Sequence, residues 1–183
     1  MYDIRMSAVF LAGLLFPFSV LAQVDCMALA HWTTLENGLQ MNQKHVFCGE
    51  WEDNRPKGFH SRPAGVNPAT VNSFTVQDGP NTAGIYTGKW LFKNHPDRGK
   101  FSSMFPDGCS AGQVLKSISY ASANPELNCP EGAPSWVKCG KNRPGSASEE
   151  KLSGYCTHNG EFFLIGFAPP KDNKINTAFP IRQ

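Results

Sequence analysis

An α+β domain, built on antiparallel strands and stapled by disulfides, is the fold class this sequence predicts. Three observations lead there. Short runs at 73–77, 84–92 and 161–168 are rich in β-branched and aromatic residues and read as strands. The segment 111–122 carries a complete helix signature. Six cysteines, Cys26, Cys48, Cys109, Cys129, Cys139 and Cys156, all follow an apolar leader.

Composition narrows the class further. The chain has 183 residues, 40% hydrophobic and 17% charged, which suits one domain with a real core and a modestly charged surface. Thirteen Phe and four Trp argue against disorder. A formal net charge of +2 excludes a strongly cationic coat, so any polyanion must be held by local geometry. Coiled-coil and multi-pass membrane architectures are excluded as well.

The leader comes first in the chain. Arg5 precedes an uncharged apolar stretch from Met6 to Ala22 that ends in Val20-Leu21-Ala22. This is the pattern of a secretory signal peptide. A spanning helix needs about 20 apolar residues, and Pro17 interrupts this stretch. The expected organisation is therefore a signal at 1–22 and a single domain at 23–183, secreted or periplasmic, with no membrane anchor after cleavage. An even cysteine count after export predicts three disulfides. Zinc is disfavoured, because no close C-x2-C pair is present. Six cysteines allow 15 pairings, and Cys129 with Cys139 is preferred because the two bracket a Pro/Gly-rich loop.

Along the domain, Met27, Leu29, Ala30, Leu35 and Leu39 suggest a helix over 26–42, although their periodicity is imperfect. Residues 44–68 hold six Gly and Pro and read as loop with short strands. Ser110-Ala111-Gly112-Gln113 is a capping box, followed by Val114, Leu115, Ile118 and Ala121 on one helical face. Pro125 stops that helix. Residues 124–150 are expected to form a long surface excursion, stapled by its two cysteines.

Five histidines are candidates for acid–base chemistry, and two have a distinctive setting. His45 opens His45-Val46-Phe47-Cys48-Gly49-Glu50, and His60 closes Lys57-Gly58-Phe59-His60. Two imidazoles suit RNA cleavage by the internal 2′-hydroxyl, since one takes the hydroxyl proton and the other protonates the leaving 5′-oxygen near neutral pH. A lysine stabilises charge on the phosphoryl oxygens. No metal or other cofactor is required.

These two elements, with Lys100-Phe-Ser-Ser-Met-Phe-Pro106 ahead of the capped helix and Asn176-Thr177-Ala178-Phe179-Pro180 near the C-terminus, resemble the bacterial EndoU-type ribonucleases over about residues 45–180. The catalytic half of that family is similar to the uridylate-specific endoribonuclease of coronaviruses. The resemblance implies a two-lobed domain with the two histidines on one lobe and the lysine and C-terminal pair on the other. It implies His60 as general base and His45 as general acid, a polarity that the residues alone leave open. Lys100 matches the family lysine, with Lys89 and Lys93 as fallbacks. Thr177 and Phe179 match a C-terminal pair in which a hydroxyl meets the base edge and a ring stacks on it; residues i and i+2 of an extended chain point the same way. Many relatives have Tyr at the second place, so Phe179 keeps the stacking surface without the hydroxyl. Ser103 is a further pocket candidate. The expected products are a 2′,3′-cyclic phosphate and a 5′-hydroxyl.

The leading expectation is thus a monomeric, metal-independent, secreted endoribonuclease acting on single-stranded RNA. Its use would be as a toxin, an effector or a scavenger, and an immunity or inhibitor protein is a candidate partner. Two other classes compete. A non-catalytic, disulfide-stabilised binding module would keep the scaffold and lose the reaction. A metal-dependent hydrolase would need an H-x-x-x-H or H-E-x-x-H motif, and none is present. Trp51, Arg55, Lys57 and Arg62 flank the histidine loop, but Glu50, Glu52 and Asp53 neutralise much of that stretch.

Overall fold

The computed structural model describes residues 23–146 and 148–183, and the expected signal at 1–22 lies outside them. The fold is α+β, with several antiparallel sheets and few helices. Among the described residues no helix is long and apolar enough to cross a membrane.

The expected helix over 26–42 does not form. A turn follows Cys26, and then strands β1 (Trp32–Thr34) and β2 (Gln40–Asn42) pair antiparallel. The apolar residues there never shared one helical face. Met27 is 87% exposed while Leu35 is buried, and the tight return needs Gly38 at φ +84°. A short helix α1 (Gln43–Phe47) follows instead, capped by the Asn42 side chain, which accepts from the His45 backbone N–H at 3.0 Å. The hairpin β3 (Glu50–Glu52) and β4 (Arg55–Lys57) supplies the expected short strands.

The second sheet comprises β5 (Val71–Asp78), β6 (Tyr86–Phe92) and β7 (His95–Met104), in that order. The first two were expected. The third, the longest strand among the described residues, carries Pro96, Asp97 and Gly99 and no alternating apolar pattern; it forms because a tight turn at 93–94 folds it back onto β6. Beneath this sheet lies a small core of Phe59, Val71, Tyr86, Trp90 and Met104.

Helix α2 (Ala111–Ala123) has both reciprocal hydrogen bonds of its capping box. It buries Val114, Ile118 and Ala121 against the larger core, which includes Phe105, Phe163, Ile165 and Phe167. Its neighbour is a third sheet ordered β11-β9-β8, from β8 (Lys138–Lys141), β9 (Leu164–Phe167) and β11 (Ala178–Ile181). The segment 124–150 is therefore less of an excursion than expected. Its second half contributes β8, and the short helix α3 (Glu149–Leu152) closes it. A two-residue strand β10 (Lys174–Ile175) runs parallel to β2, tying the C-terminus to the start of the fold.

Three disulfides join Cys26–Cys48, Cys109–Cys156 and Cys129–Cys139. The last is the preferred pairing. The first anchors the N-terminal turn to the C-cap of α1, and the second staples the segment just before α2.

Candidate active site

One open cleft of about 900 Å³ lies between the two cores, and all six candidate residues, His45, His60, Lys100, Ser103, Thr177 and Phe179, line it. Lys89 and Lys93, the fallbacks for Lys100, do not line it.

His45 sits on α1. The segment after β4 reaches it through backbone bonds: Phe59 N–H donates to His45 C=O at 2.7 Å, and His60 N–H donates to Val46 C=O at 2.7 Å. These carbonyls have no partner within so short a helix, so the chain of residues 58–61 satisfies them. The approach requires left-handed backbone, Gly58 at φ +72° and Phe59 at φ +58°. A Cβ on Gly58 would collide with the His45 backbone carbonyl. Phe59, a non-glycine held at positive φ, is locked by full burial against Trp90. The result is two imidazoles 6.2 Å apart, ring centre to ring centre, and nearly parallel.

The rings differ in their surroundings. His45 Nδ1 lies 2.8 Å from Glu50 Oε2, and His31 Nε2 lies 3.4 Å from the other carboxylate oxygen. Burial alone would raise the Glu50 pKa, but hydrogen bonds and charge from His45, with help from Asn42, hold it below the ordinary value. The carboxylate is therefore ionised, and the proton shared with His45 sits on Nδ1, turning Nε2 to the cleft. His60 Nδ1 instead lies 3.0 Å from the backbone oxygen of Ser103. An acceptor there demands a donating Nδ1–H, which leaves Nε2 with a free lone pair. The His60 pKa is driven well below 6.5, first by burial and then by the positive charges of Lys100 and His45, so the ring is neutral at pH 7.

Lys100 extends from β7, its stem packed inward. Its ammonium donates to Ser102 Oγ at 2.9 Å and to the Phe101 carbonyl at 3.1 Å. Burial pulls its pKa down to about 8. Ser102 is a node: its hydroxyl accepts from Trp90 Nε1 at 3.1 Å and donates to Gly58 C=O at 3.0 Å. One buried hydroxyl thus holds both the lysine and the loop that carries His60. Ser103, the expected pocket residue, contributes its carbonyl to His60.

Lys100 stands on β7 of the β5-β6-β7 sheet, whereas Phe179 lies on β11 of the β11-β9-β8 sheet and Thr177 immediately precedes that strand. The cleft is assembled from both. Phe179 is not a core residue: half-buried, it stands 5.4 Å from His60 and 6.2 Å from Trp136, ring centre to ring centre. Asn42 links the halves, since its side-chain N–H groups reach Glu50 at 3.2 Å and Asn176 Oδ1 at 3.0 Å, one residue before Thr177.

Of the basic residues flanking the histidine loop, Arg55 and Lys57 line the cleft, and Lys57 is already paired with Glu52 and Asp53 at 2.7 and 2.6 Å. Arg62 pairs with Asp107 at 2.9 Å, and Trp51 stacks on His95 at 3.5 Å. Among the described residues, no group of three or more His, Cys, Asp and Glu is placed to hold a metal ion.

Glu50, Ser102 and Trp136 are the site residues that sequence reasoning missed. Glu50 was visible at a spacing of five from His45; the other two depend on register and on a disulfide loop. A family model described as bacterial EndoU nuclease matches residues 39–182, a span that contains every candidate named above. No curated protein and no solved structure matches the chain.

Proposed function

The chain belongs to the bacterial EndoU nuclease family, and on that premise we propose that it is an exported endoribonuclease cutting single-stranded RNA by transphosphorylation. The observation that carries this reading is the asymmetry of the histidine pair: a neutral, buried His60 beside a His45 backed by an ionised Glu50. One ring is suited to take a proton and the other to give one.

In the proposed reaction, His60 Nε2 removes the proton from the 2′-hydroxyl. The 2′-oxygen attacks the adjacent phosphorus. The bond to the 5′-oxygen breaks, and His45 Nε2–H protonates that oxygen as it leaves. The products are a 2′,3′-cyclic phosphate and a 5′-hydroxyl, and water can return the protons to their starting sites. Lys100 stabilises the charge that builds on the non-bridging oxygens. Glu50 fixes the His45 tautomer and balances the imidazolium. Thr177 and Phe179 hold the base on the 2′-hydroxyl side, through an edge contact and a stacked face. Export is supported by three intramolecular disulfides, which suit an oxidising compartment.

Kinetics on single-stranded RNA test these assignments. His45→Ala and His60→Ala should each lose about 10²–10⁴-fold in kcat. Near-normal turnover in either variant, with the fold intact, removes that residue from the mechanism. Lys100→Ala should lower kcat and kcat/KM together by about 10²–10³-fold, because its contact strengthens in the transition state. A rise in KM at constant kcat would reduce Lys100 to a phosphate anchor.

A further inference from the structure

Trp136 has no role in the chemistry above, yet it is 53% exposed at the cleft wall. A single exposed aromatic is ordinary on a protein surface; what singles out this one is its place on the cleft lining beside Phe179. The other exposed large aromatics among the described residues are Phe101 and Phe162. Phe162 is covered on one face by the Arg143 guanidinium at 3.8 Å; Phe101, 59% exposed, also lines the cleft but does not join the line of rings that leads from the histidines.

Trp136 instead continues a row of rings. Trp136 to Phe179 is 6.2 Å, Phe179 to His60 is 5.4 Å, and His60 to His45 is 6.2 Å, centre to centre. The row runs from the proton-transfer pair, through the ring proposed to face the reacting base, to a half-exposed indole set edge-on to it. The cleft volume of about 900 Å³ also stands near the top of the roughly 300–1,000 Å³ range for small-molecule sites, which is ample for more than one nucleotide.

The indole is held in place by covalent geometry. It lies within the loop closed by Cys129–Cys139. Two tight turns shape that loop, Ala133 N–H to Pro130 C=O at 3.1 Å and Val137 N–H to Pro134 C=O at 3.1 Å, and β8, which carries Cys139, begins directly after the second turn. A ring presented by so short and cross-linked a loop loses little freedom on binding.

We infer that Trp136 is the stacking platform of a second base subsite, holding the nucleotide one step further from the scissile phosphate than the one on Phe179. The inference rests on the ribonuclease reading. It makes the preferred substrate a single strand of at least three nucleotides, with bases splayed onto separate rings, and it makes the Cys129–Cys139 bridge a requirement for that preference.

The test compares kcat/KM on a pool of all dinucleotides with that on a mixed-sequence hexanucleotide, for wild type, Trp136→Ala, Trp136→Phe and the Cys129→Ser/Cys139→Ser double variant. Thermal melting of each variant serves as the folding control. Stacking on one aromatic ring corresponds to about 5- to 150-fold in affinity. Trp136→Ala should lose that factor more on the hexanucleotide than on dinucleotides, through KM. Trp136→Phe should keep most of the preference, and the double cysteine variant should lose it with the indole still present. Equal losses on both substrates in Trp136→Ala would overturn the subsite. Affinity for an uncleavable 2′-O-methyl hexanucleotide separates the two readings. A wild type that cuts no RNA defeats the ribonuclease reading, while weaker binding by Trp136→Ala still upholds the subsite and unchanged binding removes it.

Discussion

Lys100 is where buried electrostatics and activity meet. Burial lowers its pKa from 10.5 to about 8. Between those values the unfolded chain binds a proton that the folded chain lacks, so this group makes stability rise with pH from about 8 to 10.5. Under the proposed mechanism activity moves the opposite way, because only a charged ammonium can stabilise phosphoryl oxygens. We predict that kcat/KM falls above about pH 8. Lys100→Arg should shift that falling limb upward, since a guanidinium stays charged, while restoring only part of the rate because its shape differs. A limb that stays in place would assign it elsewhere. His60 has the same sign at lower pH: its depressed pKa keeps it neutral and active well below 6.5. Ser102→Ala should free both the ammonium and the Gly58 carbonyl, lowering kcat more than it raises KM; a pure KM effect would contradict the positioning role. Ser102 itself was not legible. Both serines stand in the sequence, but β7 has no alternating apolar pattern to reveal which one faces inward. His45, His60 and Lys100, which the structure brings to one cleft, were singled out through the family resemblance of the motifs around them.

Elements became readable where local chemistry alone decides their form. Helix α2 was legible because its capping box and apolar face are both local signals. Ser110→Ala should cost about 1 kcal/mol in a denaturant titration and leave KM for RNA unchanged. A loss several times larger would mean that the hydroxyl supports more than the cap. The Cys129–Cys139 loop was legible for a similar reason, since the two cysteines bracket a Pro/Gly-rich stretch. The helix expected at 26–42 failed because the turn at Gly38, the pairing of β1 with β2 and the Cys26–Cys48 bridge are tertiary choices. Strand β8 and the C-terminal strands were hidden likewise, since they exist only as partners of β9 and β2.

At the scale of the molecule, two cores share one cleft, and three covalent ties hold the parts that border it. Cys26–Cys48 fixes the helix of His45, Cys109–Cys156 the approach to α2, and Cys129–Cys139 the wall bearing Trp136. Loss of a native disulfide in a small exported domain costs about 2–5 kcal/mol. Reduction should therefore lower the denaturation midpoint and abolish cleavage, while mass measurement of the intact exported protein should find no free thiols. Six free thiols in that protein would contradict the export reading. That Lys100 and Phe179 stand on different sheets was not legible, because only strand pairing decides which strands are neighbours.

The central claim is that His60 and His45 exchange protons across a 2′-hydroxyl attack. Its most direct measurement is the chemistry of the cut ends when the purified, fully oxidised protein acts on single-stranded RNA in EDTA. Cleavage should leave 2′,3′-cyclic phosphate and 5′-hydroxyl termini and should be lost in both His45→Ala and His60→Ala. Cleavage only after a divalent metal is added, or 5′-phosphate termini, would contradict it.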